Sequence, residues 1–117
     1  MSEIIRIDAG LRMSEAVIFG GKVYTAGVVA DSAHGQGMFE QTQDVLSQID
    51  AVLAQAGTDK TRILKVTIWV ADMAQFAEMN RAWDAWAVPG KTPARATVEA
   101  KLADAGWLVE MMVEAAL

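Results

Sequence analysis

Cysteine is absent from the 117-residue chain, histidine occurs once and proline twice. Without cysteine there is no disulfide, no thiolate nucleophile and no cysteine–zinc site. The lone His34, between Ala33 and Gly35, has no second histidine to share a metal and no G-x-S-x-G serine to activate. It reads as a solvent-facing loop residue. Positive charge is also short: ten Lys and Arg stand against fifteen Asp and Glu, a net charge of −5. Phosphate backbones are bound through Lys and Arg that displace counterions, so nucleic acid is a poor match. The glycines of "GG" and "GQG" do not form a strand–loop–helix phosphate cradle with its lysine. No apolar run reaches the length of a membrane span. The start, "MSEIIRIDAG", lacks the basic and apolar regions of a signal peptide, and a cytoplasmic location is expected.

What the chain has is apolar surface: 53% hydrophobic residues, with four tryptophans and seven methionines. Its length fits a single domain, residues 1–117. "EIIRI" reads as a short strand, and Ala16 to Val29 as a hairpin turning at Gly20-Gly21. "ADSAHGQG" is a loop. Thr42, Val45, Leu46, Ile49, Val52, Leu53 and Ala56 recur at three- and four-residue steps, the stripe of a helix that Gly57 terminates. Thr61 to Ala71 is β-branched and almost wholly apolar, the pattern of a central strand covered on both faces. Asp72 and Gln75 open a second helix in the manner of a capping box, with Phe76, Met79, Trp83 and Trp86 as its stripe. Two strands, "TPARATVEAKL" and "WLVEMMVEAAL", close the chain as a pair joined by "ADAG". The expected fold is α+β, a mixed sheet with two helices on one face. The other sheet face then needs a partner, and self-association supplies one.

The last two stretches hold the chemistry. In the first, Arg95, Thr97, Glu99 and Lys101 alternate with Ala94, Ala96, Val98 and Ala100. In the second, Glu110, Met112 and Glu114 share a face. Arginine is a permanently charged planar fork suited to a carboxylate, each charge-assisted bond worth about 1.5–3 kcal/mol. A nearby Glu110 would serve as acid–base group or would position a water. From pattern alone such residues are more often an ordinary cross-strand Arg–Glu ion pair, worth little at a surface. Which glutamate lies opposite Arg95 depends on a register the pattern leaves open. Trp83 and Trp86 read as core or interface, and Met111-Met112 as packing.

The segments "VYTAG", "ILKVTIWVADMAQFAEMN", "PARATVE" and "LVEM" together resemble the Rid family of reactive-intermediate deaminases, also named YjgF. The resemblance covers nearly the whole chain. It implies a chorismate-mutase-like fold and a homotrimer with clefts between subunits. It also implies hydrolysis of 2-imino acids to 2-keto acids and ammonia, without cofactor or metal. On that likeness Arg95 anchors the substrate carboxylate and Glu110 handles the water, while Gly27 and Asn80 line the cleft. Met13, Ala26 and Thr97 occupy positions where the best-known members carry tyrosine, serine and cysteine, the mark of a divergent subgroup. Arg12 is read as a surface arginine, a second cleft cation being the alternative. The expected ligand is a small 2-imino acid or related carboxylate, with neither nucleic acid nor membrane as partner. A trimer that binds a small carboxylate or keto acid without turnover is the second reading, and a purely structural holdase the third. Ribonuclease activity, attributed to relatives, is disfavoured by the acidic charge and the missing second histidine.

Overall fold

A computed structural model describes residues 3–117. Four strands come first: β1 (Ile5–Ile7), β2 (Ala16–Phe19), β3 (Lys22–Thr25) and β4 (Val28–Val29). Then follow α1 (Met38–Ala56), β5 (Ile63–Val70), α2 (Phe76–Trp86), β6 (Ala94–Glu99) and β7 (Val109–Ala116). The β2–β3 turn is made by Gly20 and Gly21 at φ 60 and 78, the left-handed pair that a two-residue hairpin demands. Helix α1 buries Val45, Leu46, Ile49 and Leu53 on the sheet. Each such side chain contributes roughly 1.5–3 kcal/mol on leaving water. Gly57, at φ 90, ends the helix, where its N–H and that of Thr58 reach Ala54 O and Leu53 O. The second helix begins later than its capping pattern suggests. Asp72 caps a short 3-10 turn over Met73–Gln75 by accepting from Ala74 N, and α2 proper starts at Phe76.

The strands form one mixed sheet in the order β1-β2-β3-β7-β5-β6, with β4 also on β7. Both β3 and β4 pair with the same edge of β7, but Tyr24 faces Glu114 while Val28 faces Met111. One extra residue is therefore accommodated at Ala26-Gly27 as a bulge. The Thr25 hydroxyl fills the gap in the ladder, accepting from Val113 N at 3.0 Å and donating to Ala26 O at 2.8 Å. The hairpin expected to run unbroken to Val29 is thus divided.

β6 and β7 are not a hairpin. β5 lies between them, parallel to β6 and antiparallel to β7. Parallel pairing needs a crossover, which α2 supplies. No glutamate of β7 lies opposite Arg95; its register partner is Val66 of β5. Nor is β5 covered on both faces within the chain. Val66, Ile68 and Val70 are buried under the helices, whereas Lys65, Thr67 and Trp69 alternate onto the opposite face. That open face also carries Val98 and Met112, 49% and 41% exposed. The fold is the chorismate-mutase-like arrangement, a mixed sheet with two helices packed on one face. No helix among the described residues is long and apolar enough to cross a membrane.

Candidate functional site

Arg95 stands on β6 in the same row as buried Val66, which places it on the helix side of the sheet. Its Nη1 donates to Asn80 Oδ1 on α2 at 2.8 Å. The guanidinium lies 5.0 Å from the Trp83 ring centre and 5.8 Å from that of Phe76. Cation–π attraction and one hydrogen bond thus orient the fork. Thr97, two residues along the same face, has its hydroxyl oxygen enclosed without a hydrogen-bond partner. These residues form a cationic half-site: Arg95 held by Asn80, backed by an indole, with an unused hydroxyl beside it.

Glu110 belongs to the other side. It pairs with Trp69 on β5 and Val29 on β4, and so alternates onto the open face. Its side chain lies against Gly27, so that a Cβ built on Gly27 would overlap the carboxylate and approach Cδ to 3.0 Å. The bulge at Ala26-Gly27 creates this seat, because any larger residue at 27 would meet the acid. Ala26 is half-buried and its N–H donates to Glu15 O, which ties the β1–β2 connection to the same edge. Met13, on that connection, is 54% exposed. Arg12 is exposed as well. Glu110, Gly27 and Ala26 form an acidic half-site, with Met13 on the loop beside it.

Sequence pattern named Arg95, Thr97 and Glu110, and family resemblance the remaining residues, but the pattern placed Arg95 and Glu110 on neighbouring strands, and the sheet separates them. The ion pairs among the described residues are His34–Asp104 and Arg81–Glu78, so the cross-strand Arg95–Glu110 pair does not form. Trp83, read as core or interface, is buried yet supports the Arg95 guanidinium. Trp69 was passed over, although its parity in "TIWVA" marks it as lying on the face opposite Ile68 and Val70. His34 is half-exposed and bonded to Asp104 at 2.8 Å. Among the described residues no cluster of His, Cys, Asp or Glu is suited to a metal. A surface concavity near 570 Å³ is lined by Glu99, Lys101, Asp104 and Trp107, and includes neither Arg95 nor Glu110.

Comparison with known proteins agrees with this architecture. The family described as Endoribonuclease L-PSP matches residues 4–117. A RutC family protein of Haemophilus ducreyi is 47% identical over 114 residues, 97% of each chain. The RutC family protein YoaB of Escherichia coli is 46% identical over 114 residues, 97% of this chain and 98% of its own. Among solved structures, a YjgF-family protein of Neisseria meningitidis superposes with a TM-score of 0.95 at 43% identity, covering 98% of this chain and 95% of its own. A protein of Salmonella typhimurium described as a putative translation initiation inhibitor gives a TM-score of 0.91 at 44% identity over the whole of both chains. By family profile, sequence identity and fold, the chain belongs to the Rid family, also named YjgF.

Proposed function

We propose that the protein hydrolyses 2-imino acids to 2-keto acids and ammonia, in clefts between the subunits of a homotrimer. One observation carries the reading: Arg95 and Glu110 lie on opposite faces of one sheet, each in a half-site that lacks the other's chemistry. Two copies packed so that the open face of one meets the α2–β6 edge of the next would complete a site. The apolar side chains of Val98, Met112 and Tyr24, exposed on the open face, favour covering it.

In such a cleft Arg95 of one subunit grips the substrate carboxylate, with Asn80 fixing its fork. The imino carbon is then held beside Glu110 of the next subunit. A C=N carbon bonded to a carboxylate carbon is already electrophilic, so a positioned water and a proton carrier suffice. Glu110 takes a proton from the attacking water as the C–O bond forms. It passes that proton to nitrogen, giving the carbinolamine, then takes the hydroxyl proton and delivers it to nitrogen as well, so that the C=O forms as the C–N bond breaks and ammonia leaves. Atoms balance with water as the sole co-reactant.

The family name printed for the matching profile is that of an endoribonuclease. The net charge of −5 and a single histidine already bonded to Asp104 favour the imine over RNA. The test is ammonia and keto-acid release from imines generated by an amino-acid oxidase, against the spontaneous rate. Acceleration in the wild type, lost in Arg95→Ala and Glu110→Gln with the assembly intact, is the expected result. Retained turnover in Arg95→Ala would sink the proposal. Keto-acid binding that needs Arg95, with no turnover and no need of Glu110, would establish the binding protein instead.

A further inference from the structure

We infer that the substrate of this cleft carries an apolar side chain and that Trp69 is the residue that selects it. The inference rests on the deaminase reading for the position of the reacting carbon, but the surroundings of Glu110 stand by themselves. Across the sheet, Glu110 is flanked by Val29 on one side and Trp69 on the other. Along its own strand the neighbour of the same parity is Met112. The register thus sets three apolar residues around Glu110. Val98 extends the row beyond Trp69 and is 49% exposed, so the apolar floor continues past the indole without cover from its own chain.

On β5 and β7, charge of the other sign is remote from Glu110 on this face. The next row with ionic side chains pairs Glu114 with Lys65. It lies four residues along β7, roughly 13 Å at 3.3 Å per residue. The arginine that comes from the facing subunit is engaged by the substrate's own carboxylate, and it too is walled by aromatic rings, Trp83 and Phe76. A second carboxylate on the substrate would therefore meet no cation of β5 or β7 on this face.

The geometry singles out Trp69 among these three residues. The substrate side chain branches from the carbon on which Glu110 acts. Directly opposed residues in an antiparallel pair have Cβ atoms about 4.5–5.5 Å apart, so the indole lies within contact of a group seated at the Glu110 carboxylate. Val29 is on the Gly27 side, where the backbone seat occupies the space. Trp69 is half-buried, with area left to offer a ligand. Trp69 is a specificity residue and takes no part in the proton transfers.

The experiment titrates the assembled protein calorimetrically with four keto acids of increasing or altered side chain: pyruvate, 4-methyl-2-oxopentanoate, phenylpyruvate and 2-oxoglutarate. Turnover of the matching imines is measured in parallel. Affinity should rise at least about tenfold from pyruvate to 4-methyl-2-oxopentanoate, the discrimination that a few methylenes give in an apolar pocket, and 2-oxoglutarate should bind more weakly than pyruvate. Trp69→Ala should flatten the series, Trp69→Leu should retain most of it, and light scattering would establish that both variants assemble. A flat series in the wild type, or tightest binding of the dicarboxylate, overturns the inference, and this arm needs no variant to fold. A rising series without imine turnover overturns the deaminase reading and leaves side-chain selection standing at a binding site. Turnover with a flat series does the reverse, and absence of both binding and turnover defeats both.

Discussion

Arg95 and Glu110 lie on opposite faces of the same sheet, with β5 between their strands. A cleft using both must draw them from different subunits, and this gives a test independent of any structure of the assembly. Arg95→Ala and Glu110→Gln should each be inactive alone. Mixed trimers of the two should recover about a third of wild-type turnover, because one of the three clefts in each pairs an intact Arg95 with an intact Glu110. Recovery would be read as ammonia release from mixed oligomers separated by tag. No recovery in verified mixed assemblies would place both residues' work within one chain and contradict the shared cleft.

Gly27 and Glu110 interlock in the same way. A methyl at 27 would overlap the Glu110 carboxylate, while the backbone there is not in the left-handed region, so alanine is tolerated by the chain itself. Gly27→Ala should displace the acid and lower turnover by about 10²–10⁴, the range of a lost acid–base group, with little change in melting temperature. Near-normal kcat in this variant would mean that Glu110 has no fixed position to lose.

On the proposed reading, Asn80 acts on the substrate through Arg95. Its Oδ1 accepts from Nη1 at 2.8 Å, and deleting the amide leaves the charge but frees the fork. Asn80→Ala should raise KM about tenfold or more, on the scale of one hydrogen bond to a charged group, and change kcat less. Steady-state kinetics separates the two, and Asn80→Asp tests direction, since an anion at this place competes with the substrate carboxylate for Arg95.

The elements were legible because their periodicities are strong. The stripe from Thr42 to Ala56 could be nothing but one buried helical face, and Gly57 and Gly20-Gly21 stand where left-handed backbone is required. Strand adjacency was not legible. "PARATVE" and "LVEM" follow one another in sequence, but the parallel partner of β6 is supplied through a helix, and alternation carries no information on which strand is inserted between. The burial sense of β6 was hidden for the same reason. Its polar parity lies toward α2 and its apolar Val98 toward open face, the reverse of a simple half-buried strand. Arg95, Glu110, Gly27 and Asn80 could be named by resemblance, yet their division into two half-sites follows from the sheet order alone.

Gln41 ties the loop after β6 to the first helix. It is fully buried; its Nε2 donates to Gln36 O at 2.9 Å and Gly106 O at 2.8 Å, and its Oε1 accepts from Leu108 N at 2.8 Å. Gln41→Met preserves size but strands the Leu108 N–H and removes one donor each from Gln36 O and Gly106 O, the latter keeping the Gly35 N–H. The cost should be about 1–3 kcal/mol, seen as a lower urea midpoint with unchanged slope. Because Leu108 leads directly into β7, turnover should fall as well if the loop relaxes, whereas an exposed change such as Gln43→Met should leave both measurements unmoved.

Asp104 gives the fold a dependence on acid. The N–H of Gly106 and then the ring of His34 stabilise its charged form, holding its carboxyl below the ordinary value of 3.8. A carboxyl lowered on folding contributes stability above the unfolded value, and that contribution disappears as pH falls through the folded one. Asp104→Asn keeps an oxygen for the Gly106 N–H but removes the charge that faces His34. Wild type should therefore melt higher than Asp104→Asn at pH 5–6, and the difference should shrink as the pH is taken below about 4. Both groups are half-exposed, so added salt should also narrow the gap at pH 5. A difference that is constant from pH 6 to pH 3 would show that the variant acts through packing around Gly106, not through the charge.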